Sequence, residues 1–149
     1  MITGIHHTSY TVSDMERSLK FYCEGLGFSL VNDRRVAGAF PSTITGFEAA
    51  ALRVVHLRGY GQGLELIEYG NPKGEPIAPR TCDVGSSHMC FIVDDIDDDC
   101  ERLKRCGARF LSEPLAVEGG PNAGNRAVYF LDPDGIPMEL SQPVRGASG

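Results

Sequence analysis

Several things are missing from this chain of 149 residues, and each absence narrows what it can be. There is no tryptophan. There is no excess of positive charge: 14 Lys and Arg stand against 20 Asp and Glu, for a net charge of −6. No basic run or stripe supplies the counterion-release energy that a phosphate-backbone binder needs, so no nucleic-acid partner is expected. No window approaches 18 consecutive apolar residues, so no membrane partner is expected either. The first 20 residues carry His6, His7, Asp14, Glu16, Arg17 and Lys20 with no apolar core, so no targeting segment is expected there. The five cysteines, Cys23, Cys82, Cys90, Cys100 and Cys106, are odd in number and contain no Cys-x-x-Cys pair. That argues against a thiolate zinc knuckle, and reduced thiols in a cytoplasmic protein are the simplest reading.

What is present is ordinary globular composition, 42% hydrophobic and 23% charged, at a length that favours one domain with its own core. The 18 Gly and 9 Pro imply many turns between short elements, which leans towards strands. The chain also repeats itself. IHHTSYTVSDMERSLKFYCEGLGFSLV, from Ile5, matches SHMCFIVDDIDDDCERLKRCGARFL, from Ser87. Superposing His7 on His88 brings Val12 onto Val93 and Asp14 onto Asp95. Each copy ends in a carboxylate between two apolar residues, Leu64-Glu65-Leu66 and Met138-Glu139-Leu140. The histidines lie 81 residues apart and the glutamates 74 apart, a difference that loop length accounts for.

Each copy reads as strand, helix, then three strands. In the first, a strand over 3–12 leads to a helix capped at Ser13 or Asp14 and running to about Leu26. Strands are predicted near 28–32, 35–39, 50–58 and 63–69, of which one early strand is short or irregular. Residues 70–84, with Pro72, Pro76 and Pro79, read as a linker. The second copy has a strand at 86–93, a helix at 96–106 and strands near 109–113, 125–132 and 136–141. Asp132-Pro133-Asp134-Gly135 reads as a hairpin turn. The organisation is thus a single domain of module 1 (3–69), linker (70–84) and module 2 (85–143), with a frayed tail over 144–149. The run Asp94 to Asp99 reads as a helix start rather than a calcium loop. Gly59-x-Gly61-x-Gly63 reads as a turn rather than a phosphate cradle. Residues 114–125 suit either a lid or a plain connection, and Arg34, Arg35 and Arg126 suit either an anionic substrate group or the surface.

Strand alternation places Thr8, Tyr10 and Val12 on one face and His7 on the other; Met89, Phe91 and Val93 oppose His88 in the same way. Glu65 and Glu139 point away from the leucines and methionine beside them. If each copy curves with its helix outside, His7, Glu65, His88 and Glu139 line a concave face, and a divalent metal neutralises it. Taken singly, each of these residues is more often a surface or satisfied side chain. The recurrence of both residue types at equivalent positions is what sets them apart. His6 has no counterpart and is expected to face outward; His56 has none and suits a pocket or a sheet.

The motifs HTSYTVSDMERSLKFYCEGLGF, GLELIEY, SHMCFIVDDIDDDCERLKRCGARF and AVYFLDPDGIPMEL span nearly the whole chain. Through them the chain resembles the vicinal oxygen chelate superfamily, which includes glyoxalase I, methylmalonyl-CoA epimerase, extradiol dioxygenases and the fosfomycin and bleomycin resistance proteins. The resemblance implies an α+β fold of two βαβββ modules forming a cupped mixed sheet with helices outside. It implies that His7, Glu65, His88 and Glu139 hold one divalent metal, whether Zn, Ni, Co, Mn or Fe. It implies a small-molecule substrate with vicinal oxygens, Glu139 as first choice of catalytic base, Glu65 as second, and a homodimer. Acyl-CoA epimerases resemble this pattern but commonly have Gln where this chain has Glu65. Extradiol dioxygenases typically use two His and one Glu, and the antibiotic-binding proteins generally lack the metal set. Glyoxalase-like lyase or isomerase chemistry is therefore the leading expectation. Epimerisation, ring cleavage and non-catalytic binding of a small molecule remain open beside it.

Overall fold

The computed structural model describes residues 1–144; the tail expected over 144–149 lies, from residue 145 on, outside them. The chain divides into two compact units between Pro76 and Ile77. Among the described residues no helix is long and apolar enough to cross a membrane.

In the first unit, β1 (Thr8–Thr11) leads into α1 (Met15–Leu19). The Asp14 carboxylate caps α1 by accepting from the Arg17 backbone N–H. The predicted single helix instead changes pitch after α1 and finishes as a π-helical turn over Lys20–Gly25. β2 (Ser29–Ala37), α2 (Ala39–Thr45), β3 (Ala51–Gly59) and β4 (Gln62–Asn71) follow. The sheet order is β1-β4-β3-β2, with β1 parallel to β4 and the other pairs antiparallel.

Three expectations are corrected here. The two short strands near 28–32 and 35–39 are one strand, β2, because β3 offers it a partner along its whole length; the irregularity survives as a register shift between Leu30 and Asn32. The strand expected from residue 3 starts only at Thr8. Its partner limits it: Thr8 lies opposite Leu64, and β4 has only Gln62 and Gly63 before that. Helix α2 was not predicted, although Pro41 in its first turn and Gly46 at its left-handed end (φ 75°) are the usual punctuation.

The second unit repeats the arrangement: β5 (Met89–Ile92), α3 (Ile96–Arg105), β6 (Arg109–Phe110), β7 (Leu115–Ala116), β8 (Arg126–Leu131) and β9 (Pro137–Gln142). Its order, β5-β9-β8-β6, matches the first unit strand for strand, and β7 pairs separately with β8. β7 was not foreseen, and β6 is shorter than the strand expected over 109–113 because the chain bends at Leu111 and Ser112. β5 likewise starts later than expected, since Met89 lies opposite Met138 and β9 has only Pro137 before that. The α+β class with a repeated strand–helix–strands unit is what the structure shows, as two four-strand ladders, one per unit, with β7 added to the second.

Apolar residues from one helix and one sheet face close each core. In the first unit Met15, Phe21 and Tyr22 are buried with Val55, Leu57, Leu64 and Leu66, and Tyr22 stacks on Tyr10 of β1. In the second, Ile96, Cys100 and Leu103, at the spacing of one helix face, are buried with Val128, Phe130, Met138 and Leu140. The acidic run is a helix start: Asp95 accepts from the backbone N–H groups of Asp97 and Asp98. The Gly59–Gly63 segment is the β3–β4 turn. Its two central residues, Tyr60 and Gly61, have φ of 55° and 74°, which matches the right-handed twist of a tight hairpin. Tyr60 is held in that unfavourable conformation by its hydroxyl, which donates to the Leu26 carbonyl at 2.6 Å.

Candidate active site

The core-facing alternation decides where the polar side chains go. Leu64 and Leu66 are buried, so Glu65 between them emerges on the opposite face of β4. Met138 and Leu140 do the same for Glu139 on β9. Parallel pairing then brings a histidine to each. His7 immediately precedes β1, and its Nε2 lies 3.5 Å from Glu65 Oε1. His88 immediately precedes β5, and its Nε2 lies 3.1 Å from Glu139 Oε2. Thus each unit joins its own histidine and glutamate at the same register. The half-buried carboxylates, with side chains 15% and 21% exposed, remain open to a ligand.

The neighbours of the two pairs differ. Glu65 Oε1 also accepts from Ser9 Oγ at 3.1 Å, and Glu65 Oε2 lies 3.0 Å from His56 Nε2. His56 is directly opposite Glu65 in the β3–β4 ladder. Its Nδ1 is buried without a hydrogen-bond partner. His6, expected to face outward, turns instead onto His7: their Nδ1 atoms are 2.7 Å apart. Alternation fails there because His6 lies before the strand begins. In the second unit Cys90 and Tyr129 occupy the positions opposite Glu139 that Ser9 and His56 occupy opposite Glu65. The Tyr129 ring meets the His88 ring edge-on, with centroids 5.0 Å apart. Loss of solvent around the Cys90 sulfur, and then the Glu139 charge and its hydrogen bond, push that thiol up to about 11.

Simple counting would have found His56. Around a two-residue turn at Tyr60 and Gly61, position 56 falls opposite position 65. Among the other candidates, Arg126 has a local partner. Arg126 makes two hydrogen bonds to the Asp97 carboxylate, at 2.6 and 2.8 Å. Arg34 and Arg35 lie along β2, opposite Val54 and Arg53. The 114–125 segment closes on itself, Val117 donating to the Asn125 carbonyl and Gly124 to that of Val117, as a connecting loop does. All five cysteines are free.

The residues fit a divalent metal by chemistry. Each unit offers an imidazole nitrogen and a carboxylate, donors suited to borderline first-row cations. Among the described residues no group of three or more His, Cys, Asp or Glu side chains is already gathered as a metal cluster.

A duplicated strand–helix–strands unit carrying one His–Glu pair per copy defines a class of proteins, and comparison with known proteins agrees. Residues 4–140 match the Glyoxalase/Bleomycin resistance protein/Dioxygenase superfamily, and the chain belongs to it. It is 36% identical to a 2-epi-5-epi-valiolone epimerase of Actinomyces, across 97% of this chain and 81% of that protein. It is 28% identical to a lactoylglutathione lyase of Haemophilus influenzae, across 97% of this chain and 96% of that one. Both relatives carry enzyme names. A glyoxalase family protein from Bacillus cereus shares the fold at 20% identity with a TM-score of 0.84, covering 97% of this chain and 96% of that one. So does a fosfomycin resistance protein from Listeria monocytogenes, solved as a variant with Mn(II) and 1S,2S-dihydroxypropylphosphonic acid. There the identity is 19%, the TM-score 0.66, and the coverage 97% of this chain and 94% of that one.

Proposed function

We propose that the protein is a divalent-metal-dependent lyase or isomerase of glyoxalase type, moving a proton beside a carbonyl on a small substrate with vicinal oxygens. The observation that carries this reading is the repeated pair: His7 with Glu65 and His88 with Glu139, each on the face away from its own core. These four residues would hold one ion, of Zn, Ni, Co, Mn or Fe, within one chain or shared across a homodimer. When bound, the ion supplies Lewis-acid stabilisation of the negative charge that develops on the substrate oxygen. Glu139 takes the proton from the carbon beside the carbonyl and delivers it to the neighbouring carbon; Glu65 is the alternative base. A carboxylate suits this work because it accepts and returns a proton without covalent chemistry. Glu139 Oε2 lies 3.1 Å from His88 Nε2, close enough for the two to share one ion.

A second reading is epimerisation, favoured by the 36% identity to the valiolone epimerase against 28% to the Haemophilus lyase. It needs the same proton removed but returned to the opposite face of one carbon, and two carboxylates, Glu65 and Glu139, can serve the two faces.

The test is metal content per chain in untagged protein, wild type against His88→Ala, followed by solvent-deuterium exchange with thiohemiacetals, acyl-CoA thioesters and cyclic polyhydroxy ketones. Near-stoichiometric metal, lost in the variant, with deuterium entering beside the carbonyl, is the expected result. Glu139→Gln should stop the exchange and leave the fold intact. Wild type that neither contains nor takes up metal would leave a small-molecule binding protein instead.

A further inference from the structure

We infer that His6, Ser9 and His56 form an outer layer that presets the two metal donors of the first unit, His7 and Glu65. The inference rests on the metal reading above and goes beyond it to three residues that are not themselves ligands.

The protons decide the roles. The 2.7 Å contact between the Nδ1 atoms of His6 and His7 carries one proton. For His7 to offer Nε2 to a cation, its Nδ1 must be the protonated nitrogen, and His6 Nδ1 is placed to accept from it. A metal-bound histidine almost always hands its second N–H to such an acceptor, which fixes both tautomer and ring direction. His56 is built the other way. Its Nδ1 is buried with no partner, so a proton there would be left unsatisfied. The proton therefore belongs on Nε2, where it is donated to Glu65 Oε2 at 3.0 Å. That makes His56 a donor to the carboxylate and not a ligand. Ser9 Oγ holds the other oxygen, Oε1, at 3.1 Å.

The second unit lacks this layer. Ser87 stands where the repeat has His6, a weakly donating thiol at Cys90 replaces the Ser9 hydroxyl, and Tyr129 replaces His56 with its ring turned to His88. Glu65 is thus held through both oxygens by two neighbouring strands, while Glu139 has a lighter hold. The asymmetry suits a fixed donor in one unit and a carboxylate that can swing in the other.

Chelator-treated full-length protein titrated with Co(II), followed by visible absorption and calorimetry, tests the layer. His56→Leu and His6→Ala should each weaken Co(II) binding about 10–100-fold at unchanged stoichiometry, the usual cost of losing an outer partner. His56→Gln, which keeps an N–H donor, should restore most of the loss, and the Co(II) absorption band should shift in His56→Leu and return in His56→Gln. Metal-free circular dichroism separates this from misfolding. Should His56→Leu not fold, Ser9→Ala removes one hydroxyl and should give the same weakening. Wild-type affinity in both His56→Leu and His6→Ala, beside loss of binding in His7→Ala, would overturn the layer and leave the metal reading standing. Lost stoichiometry in both His56 variants would make His56 a ligand and also overturn it. No Co(II) uptake by wild type would overturn both readings together.

Discussion

Gly63 should be the most informative single position in the first unit. It lies at the start of β4, where the chain before β1 crosses closest to it. A Cβ at residue 63 would sit 2.7 Å from the His6 carbonyl oxygen and 3.4 Å from His7 Cβ. A carbon and a carbonyl oxygen rest at about 3.3 Å or more, so Gly63→Ala must push the His6–His7 backbone away by roughly 0.6 Å. The obstacle is backbone and cannot rotate aside as a side chain would. Overpacking of this kind costs about 1–3 kcal/mol, offset in part by about 0.4–1 kcal/mol from the reduced freedom of the unfolded chain. The net loss, about 0–2.6 kcal/mol, corresponds to a melting temperature lower by up to roughly 10 °C for a chain of this size. The same 0.6 Å is about three times the tolerance of a metal–ligand distance, roughly 0.2 Å, so affinity should suffer more than stability. Thermal melts and Co(II) titrations on Gly63→Ala, with Gly74→Ala as control because nothing lies within 4 Å of its added Cβ, separate the two effects. Wild-type metal affinity and an unchanged melt in Gly63→Ala would refute the reasoning, since the backbone would then have room that the structure denies it.

Other expectations follow from the same geometry. Asp132 is fully buried, and its carboxylate accepts from the backbone N–H groups of Asp134 and Ile136, both at 2.8 Å. Asp132→Ala leaves those donors without it and should cost about 1–3 kcal/mol, read as a lower denaturant midpoint, whereas Asp132→Asn, which keeps an acceptor, should cost less. Leu64→Ala, at a position 1% exposed, should cost about 2–5 kcal/mol by the same assay, even though its neighbour Glu65 is untouched. The Cys90 thiol, raised from 9.0 to about 11 by loss of solvent and then by Glu139, is less ionised than an ordinary thiol at any given pH. Because the thiolate is the reactive form, iodoacetamide labelling of Cys90 in metal-free protein should be slow at pH 8 and rise about tenfold per pH unit towards 11. Glu139→Gln, which removes the neighbouring negative charge, should make it faster; an unchanged labelling rate would contradict the part of the shift assigned to Glu139.

The repeat was readable because it is written in side chains. His7 and His88, Asp14 and Asp95, Glu65 and Glu139 recur with nearly constant spacing, and the two aspartates do cap α1 and α3. The hairpin at Asp132–Gly135 was readable for a local reason, as Pro133 and Gly135 select the turn and Gly135 takes φ of 89°. Less visible were features that depend on pairing. The length of β2 follows from that of β3, the late starts of β1 and β5 follow from where β4 and β9 begin, and none of these is a property of one segment. The pitch change at Lys20 has no local signal comparable to the Gly and Pro that bracket α2. Of the site, His7, Glu65, His88 and Glu139 were singled out by recurrence. His6 and His56 were passed over because they lack counterparts, and that is the asymmetry that distinguishes the two units.

The two hairpins set a rule for how this scaffold can vary. Glu65 lies four residues past the Tyr60–Gly61 turn, and Glu139 three past the 132–136 loop. Inserting or deleting one residue in either turn would slip the ladder and send the carboxylate to the apolar side. Both tips are therefore closed in length, and the second is closed in letter too at Asp132, whose buried carboxylate accepts from the Asp134 and Ile136 backbone N–H groups. Leu115 and Ala116 are tied in register to β8, but residues 118–123 carry no such coupling, because Val117 and Gly124 close that stretch with a hydrogen bond of its own. A designer seeking new substrates should lengthen that stretch and leave the two tips at their present size.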